Sequence, residues 1–420
     1  MRTLVRELKE KIGQTVTLYL TLETLRDQKH LQFILGKDKS GTIQLVISKN
    51  KVVNHEEISA LLPGSAFVAH GVLVEAVQSK FGIEVQVDKL EIMSKAQALP
   101  ITEDSSIDLR FDFRAVDLKF PRQKLMFKVR NAFEQGCREY LLSKDYFEIH
   151  TSKLMSRASE SGSEVFSVDY FDKKAFLAQS PQEGKQLMCQ ALDSVVEFGH
   201  VYRAEKSLST RHLTEFVGID VETCWIFETK EIMKIEEEML CYAFAKLEPF
   251  KDDVKKIFGI DLMTKPTVTY MTLDEAKAIL KEHGMPLSKE QDLPDAGELK
   301  LYEVLGVNLI FVSDYPIAKR PFYHMWDKEK GTTKSFDLIM NGIEITSGAV
   351  REHRLEVFEE QVLAKGVSLE SVEHYSKIFK WGAKPHAGFG LGVERVLAKL
   401  LGVSVKECSA MPRDPDRLTP

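Results

Sequence analysis

Several side chains in this sequence have types and spacings suited to holding phosphate. Arg203 and Arg211 flank a short polar stretch between two apolar, strand-like segments, 194–199 and 218–222. A guanidinium fork clamps phosphate oxygens bidentately, which a lysine cannot do. Glu205 can accept from an exocyclic amine, and Phe216 offers a ring face to a base. Further on, Gly388-Phe389-Gly390-Leu391-Gly392-Val393-Glu394-Arg395 places glycines where a backbone could approach a ligand, then starts a helix. Arg395 falls in the first turn of that helix. A cation there costs a few tenths of a kcal/mol unless an anion lies nearby. Asp337 and Glu344 straddle Met340-Asn341-Gly342, so a hairpin would bring both carboxylates together. Two carboxylates with nucleotide phosphates suffice for Mg²⁺, which completes its shell with water. Each piece alone also has a plainer reading: a hairpin loop with surface ion pairs, a tight strand-to-helix turn, two solvated acids. No GxxxxGK[ST] loop is present, and the glycine run has the wrong spacing for a dinucleotide fingerprint.

The elements that must position these groups fall into two regions. Residues 14–20, 31–35, 42–47, 66–74 and 82–87 read as short strands, with a helical stretch near 55–62. Five strands and one helix suggest a small closed barrel of the OB type, and any small β-barrel would fit the periodicity as well. A polar connector follows, so the expected domains are 1–98, a linker at 99–122, and 123–420. Within the last, 248–315 reads as a candidate insertion. Leu125, Val129, Phe133, Cys137 and Leu141 mark one helix face, and 342–346 reads as a strand. Residues 229–246 and 393–401 read as helices. The expected class is α+β. The 420 residues are 44% hydrophobic and 29% charged, which supports a sizeable core. A net charge of −6 confines any phosphate-binding surface to a local patch. No apolar run approaches membrane-span length, no secretory leader is apparent, and the five cysteines are scattered without a CxxC pair. These features point to a reducing cytoplasm and away from a disulfide framework or a zinc site.

Together the pieces resemble a class II aminoacyl-tRNA synthetase, within the aspartyl/asparaginyl subgroup and closest to the compact archaeal aspartyl type. The second family motif is similar to Arg203-Ala204-Glu205 with Arg211-His212-Leu213, and the third to Gly388 through Arg395. Ser161-Gly162-Ser163-Glu164, Gln179-Ser180-Pro181-Gln182 and the tail from Met411 to Pro420 also match. The resemblance implies an N-terminal OB barrel that binds the anticodon, and an antiparallel sheet flanked by helices. It implies a homodimer acting on ATP, L-aspartate and tRNA with Mg²⁺. It also implies the roles of particular residues. Arg203, Glu205, Arg211, His212, Leu213, Phe216, Glu344, Gly392 and Arg395 would surround ATP, with Arg203, Arg395 and Glu344 as the catalytic set. Asp337, Glu344 and Ser347 would face Mg²⁺. Glu160, Gln182, Lys185, Arg203, Asp220, Ser347 and Arg351 would surround aspartate, with Lys185 and Arg351 on its side-chain carboxylate. Arg26, Phe33 and Gln44 would contact the anticodon. The implied activity is an aspartate–tRNA ligase for tRNA(Asp), with tRNA(Asn) as an open second substrate. Alternatives are an asparagine–tRNA ligase, a tRNA-independent paralogue that makes asparagine, or a silent tRNA-binding protein. Two local differences from the family bear on this: Ser152 stands where a proline is usual, and Glu183-Gly184 precede Lys185. A glycine inside a helix costs about 1 kcal/mol of propensity.

Overall fold

The computed structural model describes residues 2–156, 165–206 and 212–420. Two compact units divide at Ser105/Ser106. In the first, β1 (Thr15–Asp27), β2 (Leu31–Lys37), β3 (Thr42–Ser48), β4 (Ala66–Glu75) and β5 (Ile83–Ser94) close into a barrel. Helix α1 (His55–Ser59) joins β3 to β4. Strict alternation drives closure: Gln32 and Ile34 on β2, and Ile43, Leu45 and Ile47 on β3, point inward and are buried, while their neighbours face out.

The second unit begins with α2 (Ile107–Asp112), capped by Ser106, then α3 (Arg114–Asp117) and α4 (Pro121–Leu142). The expected linker at 99–122 is therefore helical from residue 107. Arg114 and Asp117 pair there, both buried, and Arg114 also donates to the carbonyls of Glu407 and Ser409 at 2.6 Å. In chain order there follow β6 (Phe147–Glu148), β7 (Leu154–Met155), β8 (Ser167–Tyr170), β9 (Lys173–Leu177), α5 (Gln182–Leu192), β10 (Ser194–Tyr202) and β11 (Glu215–Cys224). Next come α6 (Thr229–Ala245), α7 (Lys251–Phe258), β12 (Val268–Thr272), α8 (Leu273–Glu282), α9 (Asp295–Leu305) and β13 (Leu309–Ser313). The short hairpin β14 (Trp326–Asp327) and β15 (Thr332–Thr333) precedes β16 (Ser335–Met340) and β17 (Ile343–Val350). The chain ends with α10 (Leu355–Ala364), α11 (Leu369–Ser376), β18 (His386–Gly392), α12 (Val393–Leu401) and α13 (Val405–Cys408).

Eight strands form one sheet in the order β12-β13-β16-β17-β18-β11-β10-β6. Pairing is antiparallel throughout its middle and parallel only at the two edge pairs. The stretch 248–315 is built into this sheet, because β12 and β13 extend it and α8 and α9 pack a core of their own against Ile310, Val312 and Ile339. Alternation separates the two faces of the sheet. Ile219, Val221, Phe389 and Leu391 point to one side and join α4, α6 and α12 in the main core. Asp220, Glu222, Gly388 and Gly390 point to the other side. The glycine run 388–392 lies within strand β18 and leads directly into α12, the helix expected after it.

Candidate active site

The polar face of the sheet floors a cavity of about 310 Å³. Strand register explains why its groups converge. Asp220 on β11 pairs with Gly390 on β18, which pairs with Ser347 on β17, which pairs with Asp337 on β16. One cross-strand row thus carries two carboxylates and a hydroxyl on a single face. In the next row Glu222 pairs with Gly388 and then Ala349. Gly390 and Gly392 of β18 line the cavity, as expected, and Gly388 and Gly390 have a further reason to be small. A Cβ on Gly388 would lie 2.1 Å from Glu222 Oε2, and one on Gly390 would lie 3.0 Å from Asp220 Oδ1. Both are small to admit the acidic side chains of β11.

The hairpin expected around Met340-Asn341-Gly342 is present, with both Asn341 and Gly342 at positive φ. That geometry suits a tight two-residue connection. Glu344 and Ser347 stand three apart and would point to opposite faces of a regular strand. Opposite Leu338 and Ile339, however, the partner jumps from Thr346 to Glu344, and Ile345 becomes an extra bulged residue. The bulge puts Glu344 on the same face as Ser347 and Asp337. Burial and then the Asp337 carboxylate push the Glu344 carboxyl up to about 8. Asp337 is gripped by Arg320, whose two terminal nitrogens donate to its oxygens at 3.0 and 2.5 Å and also reach Ser347 Oγ at 3.1 Å. Tyr315 lies beneath that guanidinium, 3.7 Å from ring centroid to Arg320 Cζ.

Helix α5 supplies the next group. Lys185, fully buried, donates to Asp220 Oδ1 at 3.1 Å and to the Phe389 carbonyl at 2.8 Å, with Glu222 Oε2 at 3.7 Å. Arg351, one residue past β17, donates to both oxygens of Glu222 at 2.9 and 3.2 Å and lies 3.4 Å from Gln182 Oε1. Glu222 has no solvent exposure. Burial raises its pKa, but Arg351 and then Lys185 outweigh that and hold it below the usual carboxylate value. His324 also lines the cavity beside these cations. Its Nδ1 is buried without a hydrogen-bond partner among the described residues. Burial, then Arg351, Arg320 and Lys185, press its pKa well below the ordinary histidine value, so the ring is neutral.

At the other end of the cavity, Arg203 follows β10 and its guanidinium lies over the Phe216 ring at 5.3 Å. Glu205 and Arg203 are exposed, Leu213 is buried, and His212 is held below its ordinary pKa by burial and by Arg395. Arg395, in the first turn of α12, donates to the Glu344 backbone carbonyl at 2.8 Å. That contact gives the guanidinium a hydrogen-bond acceptor but not the anion that its place in the first turn of a helix calls for. Arg211 and Glu160 lie outside the described residues. All the other expected cavity residues border this one space except Asp337, which lines a smaller polar recess with Arg320 and Glu344. Sequence reasoning missed Glu222, Arg320 and His324. Glu222 was legible, since it shares a strand face with Asp220. Arg320 and His324 sit between elements, where no periodicity marks them.

On the barrel, Arg26, Phe33 and Gln44 share the outer face of β1, β2 and β3. Arg26 pairs with Phe33, and Gln44 stands diagonally opposite Phe33 across β3. Phe33 is half-buried and lies outside the barrel core, and Gln44 donates to Glu84 at 3.0 Å.

An antiparallel sheet with this cationic, carboxylate-lined cavity is the architecture of class II tRNA synthetases. The family model described as tRNA synthetases class II (D, K and N) matches residues 106–415, and the chain belongs to that family. It is 38% identical to the aspartate–tRNA(Asp/Asn) ligase of Thermus thermophilus, with all of both chains covered. It is 36% identical to the aspartate–tRNA(Asp) ligase of Pyrococcus furiosus, over 99% of this chain and 98% of the other. Among solved structures, the asparaginyl-tRNA synthetase of Pyrococcus horikoshii complexed with asparaginyl-adenylate superposes with a TM-score of 0.94 at 30% identity, covering both chains fully. The aspartyl-tRNA synthetase of Entamoeba histolytica gives 0.85 at 27% identity, covering 100% of this chain and 93% of that one.

Proposed function

We propose that this chain is an aspartate–tRNA ligase, which activates L-aspartate with ATP and transfers it to the 3′ end of tRNA(Asp). The observation that carries this reading is the charge balance around Lys185. Asp220 is the acid available to the substrate ammonium. Lys185, which donates to Asp220 at 3.1 Å and lies 3.7 Å from Glu222, Arg351 on Glu222 and the substrate ammonium are three positive groups against two acids, which leaves one positive charge for one side-chain carboxylate. A neutral amide would leave that charge uncompensated, and a site built around one polar partner rejects the analogue lacking it by roughly 10⁴ or more.

In activation, the substrate α-carboxylate attacks the α-phosphorus in line and pyrophosphate leaves. No protein nucleophile is required, so catalysis consists of positioning and charge neutralisation. Arg203 holds the α-phosphate, Phe216 stacks on adenine, and Glu205, His212 and Leu213 read the adenosine. Arg395 covers the other face of the base and reaches the γ-phosphate, with Arg211 joining it. Gln182 and Glu160 flank the amino acid. A ribose hydroxyl of the terminal tRNA nucleotide then attacks the aminoacyl carbonyl and AMP leaves. Mg²⁺ fits Glu344, whose buried, proton-retaining carboxyl gains from a cation, together with Ser347 and Asp337. Two carboxylates leave room for phosphate and water in its shell, and the ion would supply charge neutralisation at the phosphates. On the barrel, Phe33 stacks on an unpaired anticodon base, Gln44 hydrogen-bonds a base edge, and Arg26 meets phosphate. The enzyme works as a cytoplasmic homodimer. None of the described helices is long and apolar enough to cross a membrane.

Aspartate-dependent ATP–pyrophosphate exchange tests the first half-reaction. Exchange with asparagine in preference to aspartate refutes the reading. Charging of purified tRNA(Asp) and tRNA(Asn) then decides the second reading, dual specificity, which the Thermus thermophilus relative favours.

A further inference from the structure

Cys189 on α5 and Cys224 at the end of β11 bring their sulfurs within 3.2 Å of each other. Both are buried, Cys189 completely and Cys224 to 7% exposure. Their position relative to the cavity follows from two periodicities. Cys189 lies one helical turn beyond Lys185, and Cys224 lies two strand residues beyond Glu222. Lys185 and Glu222 face each other across α5 and β11 at 3.7 Å. The thiols are therefore the next rung of the same interface, one step outward from the amino-acid pocket. The site mechanism uses neither sulfur.

We propose that Cys189 and Cys224 are a reversible thiol–disulfide modification site, closed by a hydroperoxide and coupled to the aspartate pocket. A disulfide needs the sulfurs at about 2.05 Å, so closure draws the two elements together by more than 1 Å unless side-chain rotation absorbs it. Cys224 is the attacking thiol. The Cys189 hydrogen bond and, against burial, nearby Lys384 lower its pKa. Lys384 is positioned by Asp193, which accepts from its Nζ at 2.5 Å. Asp193 sits at positive φ between α5 and β10, and its backbone carbonyl accepts from the Cys224 amide at 2.7 Å.

The chemistry balances in two steps. Cys224 thiolate attacks one peroxide oxygen, the O–O bond breaks, and the products are Cys224 sulfenic acid and hydroxide. Cys189 sulfur then attacks the sulfenyl sulfur, the S–O bond breaks, and the departing hydroxide takes the Cys189 thiol proton as water. Two thiols and one hydrogen peroxide give one disulfide and two waters.

The full-length protein is treated with stoichiometric hydrogen peroxide, and free thiols are trapped under denaturing conditions. The expected product has lost about 2 Da and yields one crosslinked peptide pair joining Cys189 to Cys224. Cys137, Cys241 and Cys408 stay alkylatable, and Cys189→Ser and Cys224→Ser each abolish the crosslink. Recovery of both cysteines as free thiols, or as separate sulfinic acids, overturns the proposal. The coupling to the pocket rests on the aspartate reading above. There, oxidation raises KM for aspartate roughly tenfold with KM for ATP unchanged, dithiothreitol reverses the rise, and Cys189→Ser does not show it. A formed crosslink with unaltered aspartate KM refutes the coupling. Because the crosslink is read by mass, its failure is distinguishable from failure of the aspartate assignment.

Discussion

Replacing Arg351 by Met separates the ion pair it makes with Glu222 from the hold on the substrate carboxylate proposed for it. The substitution keeps length and apolar bulk and deletes the charge. Arg351 makes two hydrogen bonds to Glu222, at 2.9 and 3.2 Å, and both residues are essentially without solvent. Without Arg351, Lys185, at 3.7 Å, is the one cation left paired with Glu222 among the described residues. Removing one partner of a buried ion pair strands the other charge and costs about 3–5 kcal/mol. Neutralising the stranded acid should recover most of that cost, so Arg351→Met with Glu222→Gln is expected to melt several degrees above Arg351→Met alone. Aspartate binding should not recover. The double variant keeps Lys185 but lacks the second donor to the substrate carboxylate, and a charged hydrogen bond in a desolvated pocket contributes about 2–4 kcal/mol. That corresponds to a rise in aspartate KM on the order of 10²-fold in pyrophosphate exchange, with KM for ATP within about twofold. Calorimetry of the three proteins and exchange kinetics at fixed MgATP measure both quantities. A double variant with wild-type aspartate KM would refute the assignment of Arg351 to the substrate. A single variant as stable as wild type would refute the view that Glu222 depends on it.

Gly184→Ala should lower stability despite its gain of about 1 kcal/mol in helix propensity, because a Cβ there would meet Thr151 Cγ2 at 2.7 Å. Adding Thr151→Ser, which keeps the hydroxyl that donates to Glu197 at 2.7 Å, should restore it, and urea midpoints of both variants check this. Glu236 is fully buried with neither carboxyl oxygen hydrogen-bonded among the described residues, and burial pushes it up to about 8 from an ordinary 4.5. The folded state then holds a proton that the unfolded state has released, so stability falls as pH rises between those values, by up to about 1.4 kcal/mol per pH unit. Glu236→Gln should flatten that slope, and superimposable Tm-against-pH curves from pH 5 to 9 would contradict the argument. His324→Ala should raise aspartate KM roughly tenfold, as loss of a neutral donor of about 1.4 kcal/mol implies, and leave KM for ATP unchanged. An unaltered aspartate KM removes His324 from the pocket's function.

How much of this site was legible in the sequence depended on which forces position each group. Asp337, Glu344 and the turn between them were readable because Asn-Gly favours positive φ and fixes a hairpin locally. The bulge at Ile345 was not readable, since it arises from pairing with β16. The glycines of β18 were visible but their reason was not. Only the register with β11 shows that Glu222 and Asp220 occupy the space their missing Cβ atoms leave. Gly184 is a parallel case. Propensity alone counts it as a weakness under Lys185, whereas the structure makes it the condition for α5 to approach Thr151. The barrel and the long helix α4 were readable because burial of one face imposes its period over many residues. Arg320 and His324 obey no period, and only tertiary packing delivers them to the cavity.

The same contrast explains why backbone likeness alone does not divide aspartate from asparagine chemistry in this family. A chain whose relatives include aspartate–tRNA ligases superposes on an asparaginyl-tRNA synthetase with a TM-score of 0.94. The sheet, its register and the helices over it are shared scaffolding, and a side-chain carboxylate differs from an amide by one charge. Discrimination must therefore reside in the charge balance of a few buried groups. On the function proposed above, those groups are Lys185 on α5, Glu222 on β11 and Arg351 just past β17, joined within 3.7 Å. A change of charge at any one of them alters the balance without moving the fold, so substrate choice can change by substitution where the backbone does not.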